Sequence, residues 1–122
     1  MTPEQVAELL AERLSEVVPS GFRVVADGST LMYNADFAGA RSAGTDIRAN
    51  FRDDSPVAER IRWVSELALG DLQDFVDEMT ARPWPGERKP PLAHAEVRGS
   101  AIHLWYGEVE SLVLRCRPIY VG

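Results

Sequence analysis

The sequence carries one cysteine, Cys116, and one lysine, Lys89. A single thiol excludes an internal disulfide framework and any site built on clustered thiolates. The near-absence of lysine reflects an arginine bias that fits GC-rich coding better than an arginine-dependent function. No apolar run approaches the roughly 20 residues needed to cross a bilayer, so no transmembrane helix is expected. The N-terminal region carries Glu4, Glu8 and Glu12 where a secretion signal carries positive charge ahead of an apolar block. A cytoplasmic protein is therefore expected. Positive charge is also in deficit: 19 acidic against 13 basic residues give a formal net charge of −6. Duplex nucleic acid and anionic membranes are repelled at long range by such a chain, so neither is expected as a partner. No serine sits in a Gly-x-Ser-x-Gly turn, no glycine-rich loop opens a helix for phosphate, and Cys116 reads as inward-facing. The sequence offers no support for nucleophilic catalysis, and no catalytic residue is assigned.

What is present suits one domain over residues 1–122, since 122 residues with 45% hydrophobic content fill a single core. Thr2, Pro3 and Gln5 stand as N-cap, first helical residue and capping-box partner. Val6, Leu9, Leu10, Leu14, Val17 and Val18 then recur at helical spacing, and Pro19, Ser20 and Gly21 end the helix. Phe22 to Ala26 and Thr30 to Asn34 read as two strands around an Asp27-Gly28 turn. Asp36 to Gly44, rich in Gly, Ala and Ser, reads as a loop. Ile47, Ala49 and Phe51 alternate with polar residues and predict a third strand. Ser55 and Pro56 repeat the N-cap and first-turn signal for a second helix to about residue 81. Its core stripe is Val57, Ile61, Val64, Ala68, Leu72, Phe75, Val76 and Met79, widened by Trp63 and Leu67. Gly70 interrupts it, which predicts either close backbone packing or a mild kink. Residues 82–91 hold four of the eight prolines and read as a stiff loop bearing Trp84. A hairpin over 92–106, turning at Gly99-Ser100, and a final strand over 112–120 complete the chain.

The predicted fold class is α+β, in the order α-β-β-β-α-β-β-β, with two helices on one face of an antiparallel sheet. The order α-β-β-β-α-β-β, with the second helix feeding the hairpin "AHAEVRGSAIHLWYG", resembles the type III secretion chaperones and their bacterial relatives with YbjN-like domains. Where that family closes with a helix, this chain ends in "SLVLRCRPIYVG", which reads as a strand. The resemblance implies homodimerisation and partner binding without catalysis, and it assigns no catalytic residue.

The hairpin is the most informative segment because its two-residue turn fixes register. Val97 should oppose Ile102, Ala95 oppose Leu104 and Ala93 oppose Tyr106 on the core face. On the other face Glu96 should oppose His103, and His94 oppose Trp105. Matching the last strand's Leu112, Leu114 and Cys116 to the core requires an odd loop or bulge between Gly107 and Ser111, and brings Arg115 beside His103. The outer face then reads His94, Glu96, Arg98, His103, Trp105, Val113, Arg115 and Arg117. Trp and Arg are enriched at protein interfaces, so Trp105, Arg98, Arg115, Arg117 and His94 form the candidate partner-binding set. The alternative is a metal-dependent enzyme or ligand binder in which His94, Glu96 and His103 close on one ion. The plain alternative to both is a solvated face with a Glu96–His103 ion pair and His94 packed on Trp105. Asp71, Asp74, Asp77 and Glu78 crowd the second half of the long helix, where the dipole disfavours them; a cation or an Arg-rich partner would relieve this, as would water alone. The function expected is a small, acidic, non-enzymatic interaction domain without a cofactor. It would be adaptor-like or chaperone-like, or an immunity-like protein neutralising a basic partner, and a homodimer.

Overall fold

A computed structural model describes residues 1–37, 39–86 and 91–121. The first helix, α1 (Pro3–Ser15), starts at the expected capping box. The Gln5 amide donates to the Thr2 hydroxyl at 3.2 Å, and the Thr2 amide donates to Gln5 Oε1 at 2.8 Å. Val6, Leu10 and Leu14 are fully buried. The helix stops at Ser15, a turn earlier than the apolar spacing suggests, because the Val17 and Val18 amides fold back onto the Leu14 carbonyl.

Strands β1 (Phe22–Asp27) and β2 (Thr30–Ala35) pair antiparallel, with Asp27 opposite Thr30. Gly28 turns the chain at a φ of +62°, a backbone state that glycine reaches without steric cost. The third strand is β3 (Arg41–Asp46), paired to β2, and not the segment from Ile47 onward. That segment forms a short helix, α2 (Ile47–Asn50), capped by the Asp46 carboxylate, which accepts the Ala49 amide at 3.0 Å. Over so few residues, an apolar residue at every second position fits a helical turn as well as a strand. Ile47 is buried on that turn and Phe51 half-buried beyond it. The Gly/Ala/Ser composition hid β3, which is held by its backbone ladder to β2 and exposes Arg41, Ser42, Ala43 and Gly44.

The long helix, α3 (Val57–Thr80), has Pro56 at its N-cap position and no side-chain cap, so Ser55 does not cap it. Instead Arg60 reaches back to the Ser55 and Asp53 carbonyls. Its stripe is buried as expected from Ile61 to Val76, but Val57, at the open end, is 44% exposed. Beyond α3, Trp84 packs edge-on against Tyr106 with ring centroids 5.2 Å apart. The proline-rich loop continues into residues 87–90, which lie outside the described residues.

Strands β4 (Ala93–Arg98), β5 (Ala101–Gly107) and β6 (Leu112–Tyr120) complete the expected order. The α+β class and the element sequence match the reading from sequence, with α2 added. The six strands form two three-stranded antiparallel sheets, β1-β2-β3 and β4-β5-β6, where the sequence had suggested one. One turn of α3 holds both sheets. Tyr106 of β5 donates to the Leu69 carbonyl at 2.6 Å. Thr45 of β3 donates its hydroxyl proton to Asp71 Oδ2 at 2.7 Å. The Tyr33 hydroxyl of β2 therefore donates toward Thr45 Oγ1, at 2.5 Å, and toward the Ala68 carbonyl, at 3.2 Å. Burial pushes both tyrosine hydroxyls well above their usual pKa, so they remain protonated donors. Among the described residues no helix is long and apolar enough to cross a membrane.

Candidate interaction face

The β4–β5 hairpin has the register that its Gly99-Ser100 turn dictates. Val97 faces Ile102, Ala95 faces Leu104 and Ala93 faces Tyr106, while His94 faces Trp105 and Glu96 faces His103. The β5–β6 ladder shifts between Tyr106 and Gly107, as inward placement of Leu114 and Cys116 demands. Gly107 has a φ of +104°, and a Cβ there would stand 2.8 Å from the Ser111 carbonyl oxygen, so no other residue fits the turn. A second irregularity lies between Ile102 and Leu104. Between the two shifts Tyr106, Trp105 and Leu104 oppose Leu114, Arg115 and Cys116, so Arg115 faces Trp105, not His103 as the simpler register implied.

Tyr106, Leu104 and Cys116 are buried on the core side. Burial pushes the Cys116 thiol up to about 12, with the Glu16 carboxylate adding to the effect. On the other side Glu96, Arg98, Val113, Arg115 and Arg117 are exposed.

This outer face is partly closed on itself. Trp105 is only 6% exposed. His94 stacks on its indole at 5.2 Å and 22°, Arg98 lies over the ring at 5.7 Å, and the indole N–H donates to the Gly107 carbonyl at 3.0 Å. Arg98 also pairs with Glu96 at 3.1 Å, and that guanidinium holds the Glu96 carboxyl below the usual range, with His103 a lesser cause. Arg117 reaches across to α1, pairing with Glu12 at 2.5 Å and Glu16 at 2.9 Å. Of the three arginines read as partner-binding, only Arg115 has no ion pair among the described residues. The Nε2 atom of His94 is buried and has no hydrogen-bond partner.

His94, Glu96 and His103 share this face but do not converge. Among the described residues, no three His, Cys, Asp or Glu side chains stand where they can hold one metal ion. The reason lies in the side-chain directions: His94 is turned flat onto Trp105 and Glu96 toward Arg98. Leu112, expected on the core face, is 37% exposed because the shift at Gly107 turns it outward; with Val113 (47%) and Val109 (68%), which sequence reasoning did not find, it forms an apolar rim at the β5–β6 connection. The exposed apolar pattern of 109–113 was the available signal. Neither family models, nor curated proteins, nor solved structures gave a match to this chain.

Proposed function

We propose that this chain is a small cytosolic, non-enzymatic domain that binds a protein partner through the outer face of the β4–β5–β6 sheet. In that reading it acts as an adaptor or in a chaperone-like way, and it self-associates. The observation that carries this reading is a sheet face on which Val113 and Arg115 are exposed beside a sealed Trp105, with the Val109 and Leu112 rim at one end. Exposed apolar groups around an unpaired arginine make a surface of the kind found at the centre of protein interfaces. Trp105 serves here as a rigid floor under the face, since it is already buried within the single chain.

Sedimentation equilibrium over roughly 1–100 μM tests the self-association. A dimer is expected, converted to monomer by Val113→Asp or Arg115→Glu, both at exposed positions where folding is retained. A wild-type chain that stays monomeric throughout would refute the dimer.

A further inference from the structure

A second surface lies on α3, away from that sheet face and independent of it. Trp63, Glu66, Leu67, Gly70, Asp71 and Asp74 enclose a hollow of about 310 Å³ on the solvent side of the helix. Trp63 and Leu67 are its half-buried apolar walls. Gly70 leaves the floor open: a Cβ built there meets nothing within 4 Å. A glycine in a helix interior costs roughly 1 kcal/mol relative to alanine, and packing within this chain gives no reason for it. Its effect is the hollow itself.

The rim is acidic and incompletely neutralised. Glu66 is bonded to Arg62 at 2.9 Å, and Asp71 accepts the Thr45 hydroxyl at 2.7 Å. Asp74 is exposed and has no hydrogen bond or ion pair among the described residues. The last turn of α3 contains no basic residue to offset the helix dipole. The chain itself shows which cation suits the aromatic wall. Trp63 also borders a smaller neighbouring hollow, and there the Arg52 guanidinium lies over its ring at 4.3 Å. A guanidinium combines a flat face for stacking with a fork of donors for a carboxylate, which an ammonium lacks.

We infer that this hollow docks an arginine side chain presented by a basic segment of a protein partner, with the guanidinium at the Asp71 and Asp74 end, its aliphatic stem against Gly70 and Leu67, and Trp63 walling the far end, where its ring already carries Arg52. The apolar walls take the stem, and the carboxylates of Asp74 and Asp71 supply the opposite charge in a chain whose net charge is −6.

The test uses the intact chain and two synthetic amphipathic peptides of about 12 residues, identical except that one carries four arginines and the other four lysines. Amide NMR shifts on titration with the arginine peptide are expected to concentrate on Trp63, Leu67, Gly70 and Asp74. The lysine peptide should bind at least fivefold more weakly. Gly70→Leu fills the hollow with a better helix former and should weaken binding tenfold or more while the fold is retained. Asp74→Asn should weaken binding about fivefold. Glu8→Gln, on the exposed acidic face of α1, should leave it unchanged. Equal affinity for both peptides, or shifts spread over α1 as strongly as over α3, would mean unspecific charge attraction and overturn the proposal. Shifts at these residues that depend on protein concentration without peptide would make a second copy the occupant and overturn it as well.

Discussion

The imidazole of His94 lies on the indole of Trp105, their centroids 5.2 Å apart and their planes 22° from parallel. The contact follows from the cross-strand register, which sets the two residues directly opposite. It explains how a large aromatic on the outer side of a sheet is 6% exposed in a single chain.

His94→Ala should uncover the indole, lower stability by about 0.5–1.5 kcal/mol and shift the tryptophan emission to the red. His94→Phe keeps a ring over Trp105 and removes the buried, unpartnered Nε2. It should therefore be neutral or stabilising, because a buried polar atom without a partner carries its full desolvation penalty. Thermal melts of both variants check this; a Phe variant as weak as the Ala variant would show that stacking is not what holds the pair.

Phe75 is 5% exposed and packs edge-on against Phe22 at 5.9 Å. Phe75→Ala should cost roughly 3–5 kcal/mol, much of the stability of a domain this size. Urea denaturation reads the loss directly, and an unchanged midpoint would contradict the core assignment.

Cys116 should be inert in the native state. With its pKa at about 12, the thiolate fraction at pH 8 is on the order of 10⁻⁴. Labelling by a disulfide reagent at pH 8 should track unfolding and become fast in denaturant. Rapid stoichiometric labelling of the folded chain would refute its burial.

Stability should fall in acid. Arg117 holds the Glu16 carboxyl below its usual range, Arg62 does the same for Glu59, and Arg98 for Glu96. In each case the folded pKa lies below the unfolded one. The contribution is thus present above the unfolded carboxylate value near 4.5 and is lost as pH drops through the folded value. Asp77 works with the opposite sign. Burial raises its carboxyl despite the Trp84 amide it accepts at 2.7 Å, so its ionisation on raising the pH above 3.8 opposes folding. Melting temperatures from pH 2 to 7 should rise overall. The rise should be smaller in 1 M salt, because these pairs are exposed and screened. A salt-independent profile would argue against the ion pairs as its source.

The parts legible in the sequence were those that chain-local chemistry dictates. The capping box at Thr2 and Gln5, the stripe of α3 and the hairpin register around Gly99-Ser100 all follow from spacing within a few residues. The third strand was not legible, because Arg41–Asp46 carries little β-propensity and exists through its ladder to β2. The division into two sheets was hidden for a related reason. Strand order along the chain fixes which neighbours pair, but not whether β3 and β4, separated by the whole of α3, share an edge. On the candidate face the residue list was legible and the state of each side chain was not. Arg117 turned out to be committed to Glu12 and Glu16, which stand about a hundred positions earlier.

Arg13 on α1 is 7% exposed, and its Nε donates to the Pro118 carbonyl at 3.0 Å, 105 residues along the chain. During synthesis at about 5–20 residues per second, α1 is therefore available for several seconds before β6 emerges to receive it. Over that interval the apolar stripe of Val6, Leu10 and Leu14 can dock on β1 and β2, but the Arg13 guanidinium has no Pro118 carbonyl to bond. The Arg13 contact thus forms only after β6 has emerged, among the last steps in completing the fold. A chain truncated before β6 should be cut by protease within α1 more readily than the 122-residue chain.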